Sequence, residues 1–354
     1  MKYIKTILIL SLGGLLAWWF ASRLNWGRVV ELLREARLWP LILAAVLVNM
    51  SMFARSLRWQ ALLAPSARIG LRSLFVATTV GFGALFAIGR AGEVIRPAVL
   101  SIQERLRLSL TLASIVIERI YDTASIVLLF SISLIFLELP AGTPLADAGM
   151  NTFRTIGLMA TFGLVAALSL LLVLRLKSGL MIKLLEKRVL PLAPRLLRPA
   201  LNFIYHLTEG LSVLTNLREL LVTILYTVLI WALIIASGWL CLAAFNLYLP
   251  LSQLIFLIGF GVVGSLVPTP GGSAGAYHAA LARGYEIIGV ETNLSASLTI
   301  VGHLIGFGPP FLLALYFLVR GDISLTSLRQ MMAGEPVQEP EKCQSRQTAD
   351  AKPE

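Results

Sequence analysis

Charge is what this chain has least of. Asp, Glu, Lys and Arg together make up 14% of its 354 residues, where a soluble globular domain carries about 25%, and that deficit excludes an ordinary water-soluble protein. Cysteine is nearly absent too. Cys241 lies in an apolar run and Cys343 in a polar terminal stretch, which excludes both a disulfide framework and a thiolate metal site. Three histidines with no acidic cluster beside them do not make a metal centre. No Gly-x-x-x-x-Gly-Lys loop is present to hold a nucleotide. No metal and no cofactor is expected.

What is present is apolar surface. Hydrophobic residues are 57% of the chain and mean hydropathy is +0.81, so the expectation is an all-α polytopic membrane protein. A crossing needs about 20 residues of helix. Six runs qualify: 4–21, 40–63, 107–137, 152–175, 219–245 and 293–319. Two shorter stretches, 73–89 and 253–270, are broken by glycine and proline. The first run has the basic start of a signal peptide but no small-x-small cleavage site, and Trp18-Trp19 fit an interfacial anchor, so it is expected to remain as a helix. Residues 1–320 then form one transmembrane domain. Within it, 176–218 is a basic interfacial segment carrying Lys177, Lys183, Lys187, Arg188, Arg195 and Arg198, and 321–354 is a polar, disordered tail.

The net charge is +11. In a soluble protein that excess would suggest nucleic acid; here most of it lies between apolar runs, where it reads as topology and contact with anionic lipid. Segment 176–218 and the basic start of the tail belong inside, with both termini cytoplasmic, and the Lys/Arg-free loops 138–151 and 246–250 belong outside. That scheme requires 73–89 and 253–270 to leave and re-enter on one side each. It also puts Arg23, Arg28, Arg34 and Arg37 outside. Either that segment is an interfacial helix or the first helix is placed wrongly. A weak internal repeat supports the scheme: VGFGALFAIGRAGE (80–93) resembles IGFGVVGSLVPTPGG (258–272) at an offset of 178 residues. An inverted repeat with broken helices is a transporter design.

Four groups of residues carry the chemistry. In GRAGEVIRPAVL (89–100), Gly89 and Gly92 allow a reversal of the chain that Arg90, Glu93 and Arg96 then line. Glu93 and Arg96 lie three apart and can pair, and Arg90 with Arg96 offers guanidinium forks to a phosphate. The bland alternative is a short helix with solvated charges. In SIVIERIYDTASIVLL (114–129), Glu118, Arg119 and Asp122 sit mid-run, where each charge costs about 2.5–3.5 kcal/mol on insertion scales. Two carboxylates a turn apart suit proton handling. Equally, they can be an ion-pair lock to Arg55, Arg58, Arg90 or Arg96.

In VPTPGGSAGAYHAALARG (267–284), Pro268, Pro270, Gly271 and Gly272 break one helix and a second begins after them. Its N-terminus suits an anion. His278 and, further on, His303 either titrate in function or are satisfied hydrogen-bond partners. Last, in ARSLRW (54–59), Arg55, Arg58 and Trp59 fit an inner-interface anchor or simple snorkelling.

RSLRW (55–59), GRAGEVIRP (89–97), ERIYD (118–122) and VPTPGG (267–272), in that order, resemble the successive motifs of the flippase-like family named for the transmembrane region of lysylphosphatidylglycerol synthase. The resemblance covers about residues 1–320. It implies a multi-pass inner-membrane protein whose relatives are proposed to move lipids between leaflets. It also marks Arg58, Gly92, Glu93, Arg96, Glu118, Arg119, Asp122, Pro270, Gly271 and Gly272 as motif positions. Many members have a glutamate soon after Pro-Gly-Gly. This chain has AYHAAL there, which makes His278 the candidate for that place. With no soluble synthase domain in the 354 residues, aminoacyl transfer is not implied.

The leading expectation is a lipid translocase. Arg58, Arg90, Arg96 and Arg119 would bind the headgroup, and Glu93, Glu118, Asp122, His278 and His303 would serve as proton or ion-pair groups. The partner is then an anionic membrane lipid or lipid-linked substrate. Alternatives are a non-catalytic partner of a separate synthase, a membrane enzyme acting on a lipid-linked substrate, and a small-solute transporter; a homo-oligomer fits any of them. No nucleotide motif or catalytic constellation favours an enzyme.

Overall fold

The computed structural model describes residues 2–137, 139, 144–177, 205 and 216–321. Most of the basic segment 176–218, the tail and the side chain of Arg90 therefore lie outside the described residues. Eleven helices are described: α1 (Lys2–Ser22), α2 (Trp26–Glu35), α3 (Leu38–Leu63), α4 (Leu71–Ile88), α5 (Ile95–Gln103), α6 (Leu108–Ile135), α7 (Pro144–Leu176), α8 (Leu217–Ala244), α9 (Leu251–Ser265), α10 (Ala276–Ile287) and α11 (Thr292–Val319). A 3₁₀ segment, Gly89–Val94, joins α4 to α5, and the described residues contain no strand.

Four helices, α3, α4, α8 and α11, are long and apolar enough to cross a membrane. At 28 residues α6 has the length as well, but it carries Glu118, Arg119 and Asp122. The helices fall where the six expected crossings lie. The difference is α4, which is a full 18 residues, about 27 Å at 1.5 Å per residue. It is nonetheless one leg of a hairpin. The backbone turns at Gly89, whose φ is +67°. A Cβ on Gly92 would meet the backbone of Ala84 and Leu85, and one on Gly81 would meet the Arg96 side chain. Contacts that pair 92 with 84 and 96 with 81 describe an antiparallel return, and Gly92 is glycine because two backbones touch there.

The second hairpin is built the same way from α9 and α10. Gly264 lies against Ala276 and Tyr277, and Gly284 against Phe260 and Leu257. α9 ends at Ser265; Pro270 opens a single turn, and Gly271 and Gly272 reverse the chain with φ of 72° and 63°. The two turns meet: a Cβ on Gly89 would lie 2.8 Å from the Thr269 carbonyl oxygen. Helix α1 joins them, with Gly13 packed on the Thr269 side chain.

Two apolar clusters fix which ends share a face. Leu63, Ile69, Leu74, Leu106, Leu108 and Phe317 gather at one face; Leu137, Leu242, Leu249, Leu254, Ile288 and Leu294 gather at the other. Each hairpin therefore enters and leaves on its own face, and the faces are opposite. The unit α3–α4/α5–α6 recurs as α8–α9/α10–α11, inverted. α3 and α8 lie antiparallel at its seam, with Arg58 reaching Thr227 and the Ser237 hydroxyl donating to Ala44 C=O.

The segment that carries Arg28 and Arg34 is the helix α2. α2 is strongly amphipathic, and its N-cap Asn25 accepts from Arg28 N–H. The Asn25 N–H donates to Asn293 Oδ1 at 2.9 Å and the Arg37 N–H to Ala244 C=O at 2.9 Å. Arg28 pairs with Glu31 at 2.7 Å. Acidic partners and a surface position explain why those charges are tolerated.

Candidate functional site

Arg55 and Arg58 are three apart on α3, and Glu118, Arg119 and Asp122 fall within one turn of α6, so each set shares a helix face. The first hairpin brings Arg96 of α5 between them. Glu118 is fully buried and receives Arg96 Nη1 at 2.6 Å, Arg119 Nη2 at 3.2 Å and Arg58 Nη2 at 3.4 Å. Asp122 receives Arg58 Nη2 at 2.7 Å, Arg55 Nη1 at 3.0 Å and Arg119 Nη2 at 3.2 Å. The guanidinium of Arg96 stacks 4.1 Å from the Trp59 ring centroid, and the indole N–H of Trp59 donates to Ser114 Oγ at 2.8 Å.

The lock anticipated from sequence is therefore present, with Arg55, Arg58 and Arg96 as its partners. ARSLRW is not an interfacial anchor: Arg58 is fully buried, and its free end is spent on Asp122, Glu118 and Thr227. Arg96 pairs with Glu118 of α6, so its charge is not solvated along one helix.

The balance does not close. Four guanidiniums face two carboxylates. Glu93 joins Arg96 and Arg119 around a small pocket of about 40 Å³, which leaves one positive charge in excess among the described side chains. Arg96 keeps its Nε and Nη2, and Glu118 its Oε2, without a hydrogen-bond partner. The two groups pair with each other, but donor atoms left unfilled on a buried guanidinium are costly, and an oxygen acceptor is what those nitrogens lack. Arg119 is the open member of the group, with 42% of its side chain exposed.

The histidines lie elsewhere. His278 Nδ1 accepts the Gly275 N–H at 3.3 Å, capping α10. His303 Nε2 lies 3.1 Å from the Gly272 carbonyl, to which it donates. Their rings are 4.7 Å apart among Phe20, Phe86, Tyr277 and Phe307. Neither has a carboxylate among its described contacts, so the structure does not bring them to Glu93, Glu118 or Asp122. Pro270, Gly271 and Gly272 shape the turn the two histidines hold.

Beside the ion cluster lies a cavity of about 290 Å³ between α3, α8, α9, α10 and α11. Arg55 and Phe82 border it, and it extends past Ser265 and Gly261 to Leu254 and Tyr285 at the second hairpin's own face. The inverted unit explains the space. Counted from the first residues of α6 and α11, Leu108 and Thr292, Glu118, Arg119 and Asp122 fall level with Gly302, His303 and Gly306. Gly302 and Gly306 line the cavity. Where the first unit is filled by ion pairs, the second is open.

Sequence reasoning gave Arg55 only as a lock partner or anchor, and missed Phe82, Thr227, Tyr277, Gly302 and Gly306. Arg55 was visible three residues before Arg58. The others lack any charge that would single them out. No described group of His, Cys, Asp and Glu could hold a metal.

The family model of the lysylphosphatidylglycerol synthase TM region matches residues 6–314. No curated protein matches the chain. The chain belongs to the lysylphosphatidylglycerol synthase transmembrane-region family, a family of membrane proteins related to lipid handling.

Proposed function

We propose that this family member is a lipid translocase that carries an anionic headgroup across the cytoplasmic membrane of a bacterial-type cell while the acyl or prenyl chains stay in the bilayer. The observation that supports this reading is the excess of guanidinium over carboxylate in the cluster: Arg96, though paired with Glu118, keeps two unpartnered nitrogens, and Arg119 is partly open beside it. Guanidinium forks match phosphate oxygens, and intramembrane charge that is not fully paired marks a substrate path.

In this reading Arg96 and Arg119 touch the phosphate, joined by Arg90 at the hairpin turn. Arg58 and Arg55 position Glu118 and Asp122, which hold the guanidiniums until the phosphate takes them. A carboxylate released in that exchange, or Glu93 at the pocket edge, is the group that takes up a proton. The histidines hold the second hairpin's turn. The face bearing 64–70 and 104–107 is read as cytoplasmic, since Arg68, Arg105 and Arg107 lie there.

Leaflet exchange of a fluorescent phosphatidylglycerol in liposomes holding the purified chain tests this. Protein-dependent exchange is expected, lost on Arg119→Ala while the variant melts close to the wild type. Equal exchange by the Arg119→Ala protein would remove the arginine from the path and the reading with it.

A further inference from the structure

The 290 Å³ cavity and the 40 Å³ pocket are neighbours, and among the described residues Phe82 alone lines both. Its position follows from the residues around it. Gly81 packs against Arg96 of α5, and Gly83 against Ala314 of α11. Successive residues of a helix turn by about 100°, so α4 is clamped on two sides and Phe82 points between them. The Arg55 guanidinium lies 5.4 Å from its ring centroid. One turn further on, Phe86 packs against His303, Phe307 and Phe311. Phe82 is thus held on one side by the ion cluster and backed by the aromatic row that ends at the second hairpin's turn.

The two spaces differ in what they can take. The larger approaches the lower end of ligand-pocket sizes, and Arg55, Ser51, Ser265, Tyr277 and Tyr285 are among its lining. The smaller has room for about three waters at some 10–15 Å³ each, and it is bounded by Arg96, Arg119 and Glu93. It suits the oxygens of one phosphate, with the rest of a headgroup left in the cavity. Both spaces are walled mostly by apolar side chains with a few charged and polar groups set among them, and an aromatic ring at the junction stops ions and water by excluding them.

We propose that Phe82 is the gate between two compartments of one anion path: an outer cavity that admits a phosphate-bearing headgroup, and an inner pocket where Arg96 and Arg119 take the phosphate. This rests on the translocase reading for its substrate, but the gate itself can be tested without a lipid. Wild-type, Phe82→Ala, Phe82→Leu and Phe82→Trp chains would be reconstituted in phosphatidylcholine vesicles loaded with inorganic phosphate. A trace of short-chain fluorescent phosphatidylglycerol would be added, its exchange followed by back-extraction with albumin, which does not enter the vesicles.

Phe82→Ala should release trapped phosphate about tenfold faster than wild type and speed lipid exchange; Phe82→Leu should lie between, and Phe82→Trp should slow exchange about tenfold, each tenfold step being one of barrier height. Phosphate release by Phe82→Ala with no lipid exchange by any chain keeps the gate and removes the lipid substrate. Wild-type lipid exchange with no change in any variant removes the gate and keeps the translocase. Where Phe82→Ala fails to fold, the Leu and Trp variants carry the same expectations, and wild-type behaviour in both overturns the gate.

Discussion

The two inverted units share a backbone plan and differ in what occupies it. In the first, Arg96, Glu118, Arg119 and Asp122 fill the space between hairpin and crossing helix with ion pairs. In the second, Gly302 and Gly306 of α11 face Tyr277 of α10 across a cavity that all three line. The first unit supplies charge and the second supplies room. An inverted pair of identical units would be equally open or equally filled on both faces; this pair is filled toward one face and open toward the other. In the proposed translocase, a path filled toward one face and open toward the other must change to pass cargo.

The largest way to break that contrast is to empty the first unit. Glu118→Ala removes the carboxylate that three guanidiniums share. Losing one partner of a buried ion pair costs about 3–5 kcal/mol, and denaturant unfolding in detergent should show a loss of that order together with loss of lipid exchange. Adding Arg96→Leu should recover part of the stability and none of the exchange.

Next is Gly92→Ala, whose new methyl would land on the backbone of Ala84 and Leu85. Overpacking of that kind costs about 1–3 kcal/mol, read by the same unfolding measurement. A cavity-lining glycine of the second unit should behave oppositely. A Cβ on Gly306 meets no atom within 4 Å, so Gly306→Leu should fold as well as the wild type while its side chain fills the cavity and stops exchange. A variant that folds and still transports would show that the cavity is not on the path.

The smallest effect lies at the start of α11, away from the ion cluster and the cavity. Glu291 caps α11, accepting from the Asn293 and Leu294 N–H groups. Burial works against its charge, but those two backbone donors outweigh burial and hold its carboxyl below the usual glutamate range. A lowered folded-state value means that its stabilisation is present above the ordinary glutamate pKa and is lost as pH falls through the carboxylate range. Glu291→Ala should cost at most about 1 kcal/mol, and the difference from wild type should shrink in melting scans run at acidic pH.

Much of the fold was legible because glycine and proline punctuate apolar runs at a nearly constant offset, and because loop charge forces each broken stretch to return to its own face. The length of α4 was not. Its last residues read as part of a broken segment, since nothing in FAIGR says where a helix yields to a 3₁₀ turn. The ion cluster was half legible. Three charges in five residues of α6 demand partners, and the candidates could be named, but which arginine reaches which carboxylate depends on a hairpin return of a few residues. The cavity was invisible. It is made by small residues, Gly302 and Gly306, whose significance lies in the larger ones at the matching places of the other unit. His278 and His303 drew attention by chemistry alone, and the geometry gives them backbone partners in the turn.

Headgroup charge is the most direct test of a guanidinium-lined path. Liposomes holding the wild-type chain would carry, in separate preparations, short-chain fluorescent phosphatidylglycerol or phosphatidylcholine, and back-extraction by albumin would follow each between leaflets. Protein-dependent exchange of phosphatidylglycerol, with phosphatidylcholine left at the rate of empty vesicles, is the expected result. Exchange of both at one rate, or of phosphatidylcholine alone, would contradict an arginine-selected anionic cargo.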